Sequence, residues 1–162
     1  MGVVKITVIV DSREKPRAIT KILDTFDKSG VRYFVSKLFV GDYQNLDNSR
    51  LVVDRKRILE LVQNVCQDHK RFTAELERAK EYGIHVIVLC ENSDGIESLQ
   101  DVLNWSNPRL KQSPMAVSGE RLFRILSAMQ NNHDKYDVEF QFCDKSKTGS
   151  RIIELLGGDQ NE

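Results

Sequence analysis

Residues 39–56 read FVGDYQNLDNSRLVVDRK. Apolar residues flank the polar stretch NLDNS, so the segment predicts a hairpin, with strands over Leu38–Tyr43 and Leu51–Lys56. Side chains two apart on a strand share a face. Asp54 and Lys56 therefore project together, and Arg55 points the other way. Asp42 opens the antiparallel neighbour and can approach Asp54 across the hairpin.

Working outward, Val3–Val10 is rich in β-branched residues and predicts a buried strand that ends at Asp11. Pro16 suits the first turn of a helix, along which Ile19, Ile22, Leu23 and Phe26 recur until Gly30 closes it. Val31, Tyr33 and Val35 alternate as a strand. After the hairpin, Ile58–Val65 and Arg71–Tyr82 carry helical patterns, and Ile84–Cys90 is a further buried strand. A polar stretch over Ile96–Pro114 holds a short helix. Gly119–Met129, with Leu122, Ile125, Leu126 and Met129 in register, is helical, Val138–Cys143 alternates, and Thr148 is placed to cap a last helix. This alternation predicts an α/β domain, a mixed central sheet flanked by helices.

At 162 residues, 40% hydrophobic and 30% charged, the chain fits one globular domain, taken as residues 1–157 with an acidic tail at 158–162. No apolar run is long enough to span a bilayer and no signal peptide is legible, so no membrane partner is expected. The three cysteines, Cys66, Cys90 and Cys143, are widely spaced and suit reduced thiols in the cytoplasm. His69, His85 and His133 show no ligand spacing. Net charge is zero but uneven. Residues 1–80 hold sixteen Lys or Arg against eleven Asp or Glu, and residues 81–162 hold eight against thirteen. The basic half, which also holds the hairpin, suits a polyanion surface.

Carboxylates beside a lysine suit phosphodiester cleavage. Magnesium takes oxygen ligands, often one or two carboxylates, and keeps water for the rest of its shell. It acidifies water and offsets charge on phosphate. A neighbouring lysine can orient or deprotonate the water, or stabilise developing charge. Taken singly, Gly41-Asp42 also reads as a turn, Asp11–Glu14 as a set of backbone caps before a helix, and Asp54–Arg57 as a charged strand end. Their combination on adjoining strands points to a site.

The segments VIVDSRE (8–14), VGDY (40–43), VDRKRILEL (53–61), KRFTAELER (70–78) and VIVLCE (86–91) occur in an order that resembles the nuclease domain of XPF-type structure-specific endonucleases. That family is a branch of the PD-(D/E)xK superfamily. It carries D-x-R-E after its first strand, then G-D-Y, then E-R-K-x-x-x-D-L. The resemblance covers nearly the whole chain, with its specificity concentrated in residues 8–91. It implies a restriction-endonuclease-like fold and a site made of Asp11, Glu14, Asp42, Asp54, Arg55 and Lys56. Asp42 and Asp54 would be the main ligands of Mg²⁺ or Mn²⁺, joined by Asp11. Lys56 would be the catalytic lysine and Arg55 a supporting residue. Glu60 matches the family's later acid, and Arg71-Phe72 its R-F pair.

The family's E-R-K is Asp-Arg-Lys here, one methylene shorter, and activity is expected to survive. The tandem helix-hairpin-helix units usual in the family are not expected within these 162 residues.

The expected function is metal-dependent endonucleolytic hydrolysis of DNA, at branched or flap structures, in repair, recombination or replication. The products would be a 3′-hydroxyl and a 5′-phosphate. Arg13, Lys70 and Arg71 are the expected DNA contacts. A bacterial or phage source and a homodimer through the last strand and C-terminal helices are further expectations. The rival is a non-catalytic DNA-binding or scaffolding subunit. Inactive relatives tend to lose residues that this chain keeps at Asp11, Asp42, Asp54 and Lys56.

Overall fold

The computed structural model describes residues 6–158. The first strand, β1, runs over Thr7–Asp11. Positions 3–5 of the expected strand, and the tail beyond Gly158, lie outside the described residues. A 3-10 turn at Pro16–Ala18 leads into α1 (Thr20–Lys28), and Gly30 at φ 71° reverses the chain into β2 (Arg32–Ser36). Then come β3 (Tyr43–Asn45), β4 (Asn48–Arg57), α2 (Ile58–Val65), α3 (His69–Glu81) and β5 (His85–Asn92). Two 3-10 turns, Leu99–Asn104 and Pro108–Lys111, occupy the polar stretch where one short helix is expected. They are followed by α4 (Gly119–Asn131), β6 (Val138–Asp144) and α5 (Thr148–Ile153).

The strands form one mixed sheet in the order β2-β1-β3-β4-β5-β6, as the α/β reading expects. β1 and β2 are parallel, β3 is antiparallel to both β1 and β4, and β4, β5 and β6 are parallel. Alternation along the strands divides the interior into two layers. Val52, Val86, Val88, Cys90, Val138, Phe140 and Phe142 face α2, α3 and α4. Val8, Val10, Tyr43, Val53, Ile87, Leu89 and Cys143 face α1 and α5. Leu122, Leu126 and Met129 are buried in the first layer and Ile152 and Ile153 in the second, so these apolar residues are core. Trp105 is buried too, its indole N–H donating to Asp94 at 3.0 Å. No helix among the described residues is long and apolar enough to cross a membrane.

Two local expectations are corrected. The first hairpin strand begins at Tyr43 rather than Leu38, and the loop is shorter than NLDNS, since Asn45 already pairs with Asn48. The cause is Gly41, at φ 78°, which turns the chain just before the strand. Thr148 opens α5 without capping it; its hydroxyl donates instead to Glu91 Oε1 at 2.8 Å.

Candidate active site

The Gly41-Asp42 pair is the local device that builds the site. A Cβ on Gly41 would lie 2.9 Å from Val52 Cγ2 and 3.3 Å from the Val53 carbonyl, so only glycine allows both this turn and this approach. The turn inserts Asp42 between β1 and β4. Its N–H donates to the Val53 carbonyl at 2.9 Å, and its own carbonyl accepts from Asp11 N–H at 2.8 Å. Its carboxylate then reaches β4, where Oδ2 accepts from the Arg55 N–H at 2.8 Å.

β4 supplies the other half. Asp54 and Lys56 lie on the same face as Val52, toward α3. Lys56 Nζ is 3.5 Å from Asp54 Oδ2 and 5.7 Å from the centroid of the Phe72 ring. Asp11, Arg13, Asp42, Asp54, Lys56 and Glu75 line one cavity of about 230 Å³ floored by Phe72, Leu76 and Val86. Burial, the Asp54 carboxylate and Glu14 all push the Asp42 carboxyl well above the usual carboxylate range. Among the described residues no group of three or more His, Cys, Asp and Glu side chains is arranged to hold a metal. What the cavity offers is a carboxylate pair. A hard cation that keeps most of its water shell is suited to such a pair.

Asp11 lies in the same cavity, but its oxygens are engaged. Oδ2 accepts from Arg13 Nε at 2.7 Å, and Oδ1 accepts from Leu38 N–H at 2.8 Å and Arg13 Nη2 at 3.2 Å. Burial opposes charge on Asp11, yet these donors hold its carboxyl below the usual range. Arg13 also donates to the Leu38 carbonyl at 2.9 Å, while its side chain remains 60% exposed at the cavity mouth.

The opposite face of β4 carries a second network. Arg55 donates through Nε to Glu14 Oε1 at 2.9 Å, through Nη2 to Glu14 Oε2 at 3.1 Å and through Nη1 to Glu91 Oε2 at 3.1 Å. Tyr43 Oη donates to Glu14 Oε1 at 2.8 Å, and Thr148 closes the chain on Glu91. Glu14, expected among the catalytic groups, is thus bonded to Arg55 and Tyr43 on the face away from Asp54 and Lys56. Glu60 accepts from the Arg57 N–H at 2.9 Å and caps the start of α2. Lys70 and Arg71 do not line the cavity. They stand exposed two residues and one residue before Phe72 on α3, with Arg71 3.4 Å from Asp68.

Sequence reasoning missed Tyr43, Glu75 and Thr148. Glu75 was within reach, because it follows Phe72 by three on α3 and so shares its face. Tyr43 and Thr148 bond to residues 29 and 57 positions away, which no local pattern encodes.

With this geometry in hand, the comparisons are specific. A family model described as "ERCC4 domain" matches residues 10–153. No curated protein matches the sequence. XPF from Aeropyrum pernix superposes with a TM-score of 0.63 at 19% identity, over 96% of this chain and 62% of that one. The same protein in a complex with DNA gives 0.64 at 19%, over 95% and 64%. The chain thus spans under two thirds of the length of these solved structures.

Proposed function

Because the chain belongs to the ERCC4 domain family, we propose that it is a divalent-metal-dependent DNA endonuclease that hydrolyses phosphodiesters at branched or flap DNA. One observation carries the reading: Asp42 and Asp54 are brought together, with Lys56 beside them, in one cavity with the exposed Arg13 at its mouth. Two carboxylates so placed repel, and a cation between them removes that cost. Mg²⁺ and Mn²⁺ both suit carboxylate oxygens. Such an ion, when bound, acidifies water and offsets charge gathering on the phosphate. DNA as the polymer is supported by the relative described in complex with it.

The chain's own groups divide the remaining work. Asp42 and Asp54 would hold the ion. Lys56, held beside Asp54, orients water or meets the negative charge that develops on the phosphate oxygens. Its position over Phe72 keeps one side of the ammonium out of water, which strengthens that interaction. Asp11 fixes Arg13 at the cavity mouth, from where the guanidinium can face a phosphate. Arg55 fixes β4 from behind, so the spacing of Asp54 and Lys56 does not depend on the substrate.

Lys56→Ala is expected to slow cleavage by about 10²–10⁴-fold while leaving Mg²⁺ binding nearly intact by calorimetry. A rate like wild type, or loss of metal binding in the variant, would contradict the role given to Lys56.

A further inference from the structure

Two aromatic residues near this cavity are exposed. Phe39, in the segment joining β2 to β3, is 54% exposed, and Tyr82, at the end of α3, is 66% exposed. A single exposed aromatic is ordinary. These two are packed on one another, with ring centroids 4.9 Å apart and planes inclined by 56°. The guanidinium of Arg78, one turn back on α3, lies 5.7 Å from the centre of the Phe39 ring. The pair is therefore braced by its own ring contact and by Arg78 while much of its surface faces water.

The ground around it is shaped and carries an arginine. A depression of about 300 Å³ is lined by Phe39, Val40, Gln44, Ser49, Arg50 and Tyr82, among others, and Arg50 is its one charged lining residue. Val40 lines this depression and also the cavity of Asp42 and Asp54. Phe39 precedes Asp42 by three residues, so their Cα atoms are at most about 11 Å apart. Stacked nucleotides on one strand advance about 3.4 Å each. A base resting on the pair thus belongs within about three stacked nucleotides of a phosphate seated over Asp42.

We propose that Phe39 and Tyr82, steadied by Arg78, form a stacking platform for an unpaired nucleobase of the strand being cut. The proposal rests on the nuclease reading above and adds to it the place where an unpaired base is held. Base–aromatic stacking needs an open base face, which a base inside a duplex does not offer. The platform therefore favours DNA with a single-stranded branch or gap beside the cleavage point. It is indifferent to sequence, because every base has such a face.

The test uses forked DNA carrying 2-aminopurine, or an abasic site, at successive positions from the junction. Binding is measured in the Asp54→Asn background and cleavage with the intact site in Mg²⁺. The fluorescence should be quenched at one position within about three nucleotides of the cut. An abasic site there should weaken binding about tenfold. With Phe39→Leu and Tyr82→Leu together, which keep bulk but remove the rings, that abasic penalty should vanish. Equal binding of abasic and intact forks, or an abasic penalty that survives the double substitution, would overturn the platform. If duplex is still cut while the abasic penalty is absent, only the platform falls. If no DNA is bound or cut by the intact protein, the nuclease reading falls with it.

Discussion

At Asp42 a carboxylate is held where its charge is least welcome, beside Asp54 and away from water. Its raised pKa means that the folded, metal-free protein holds a proton there which the unfolded chain has already released. Stability of the metal-free protein is therefore fully present below the ordinary carboxylate range. It falls as pH rises from that range toward the raised folded value. Asparagine keeps the acceptor for the Arg55 N–H and can donate to Asp54, so it removes the cost of taking up that proton without orphaning a partner. Without metal, Asp42→Asn should be more stable than wild type at neutral pH by about 1–3 kcal/mol in denaturant titrations. The difference should shrink toward pH 4, and Mg²⁺ should stabilise wild type but not the variant. A variant less stable than wild type at neutral pH would mean the two carboxylates are not in conflict.

At the scale of the element, β4 organises the molecule. Its alternation sends Asp54 and Lys56 to the α3 side and Arg55 to the α1 and α5 side. The Arg55, Glu14 and Glu91 side chains are only 10–15% exposed. Arg55→Met would leave two acids largely out of water without their cation, and should cost about 3–5 kcal/mol in thermal or chemical unfolding. A loss under 1 kcal/mol would show that Glu14 and Glu91 find other partners. The two-faced character of β4 is legible in the sequence, because a period of two needs no tertiary information. So are the helices of strong apolar spacing and the end of α1 set by Gly30. The start of β3 was not legible: Gly41-Asp42 reads as a turn, but nothing local shows that the turn displaces the strand start to Tyr43, with Gly41 packed against Val52 and Val53. Nor was the alliance of Glu14 with Tyr43 and Arg55. It joins residues brought together by β1, β3 and β4, and sequence distance hides it. The sequence presents Asp11 and Arg13 as separate site groups, and their direct bond emerges only from the bend after β1.

At the scale of the whole molecule, zero net charge conceals a basic N-terminal half that contains the cavity and α3. Lys70 and Arg71 stand exposed on α3, close to Phe72 in the cavity floor. If the polymer passes over that helix, replacing both with alanine should weaken DNA binding. It should also flatten the dependence of log K on log salt by about 1–2. Fluorescence anisotropy across a salt series checks this, and an unchanged slope would place the DNA path elsewhere. The central claim is that Asp42 and Asp54 serve metal-dependent cutting of DNA. The most direct measurement is cleavage of labelled duplex, single-strand, flap, fork and four-way-junction DNA in Mg²⁺, Mn²⁺ or EDTA, by wild type and Asp54→Asn in parallel. Wild type should cut with either metal and not in EDTA, and the variant should not cut although it still binds DNA. Cutting that persists in Asp54→Asn, or no cutting by wild type on any substrate, would contradict it.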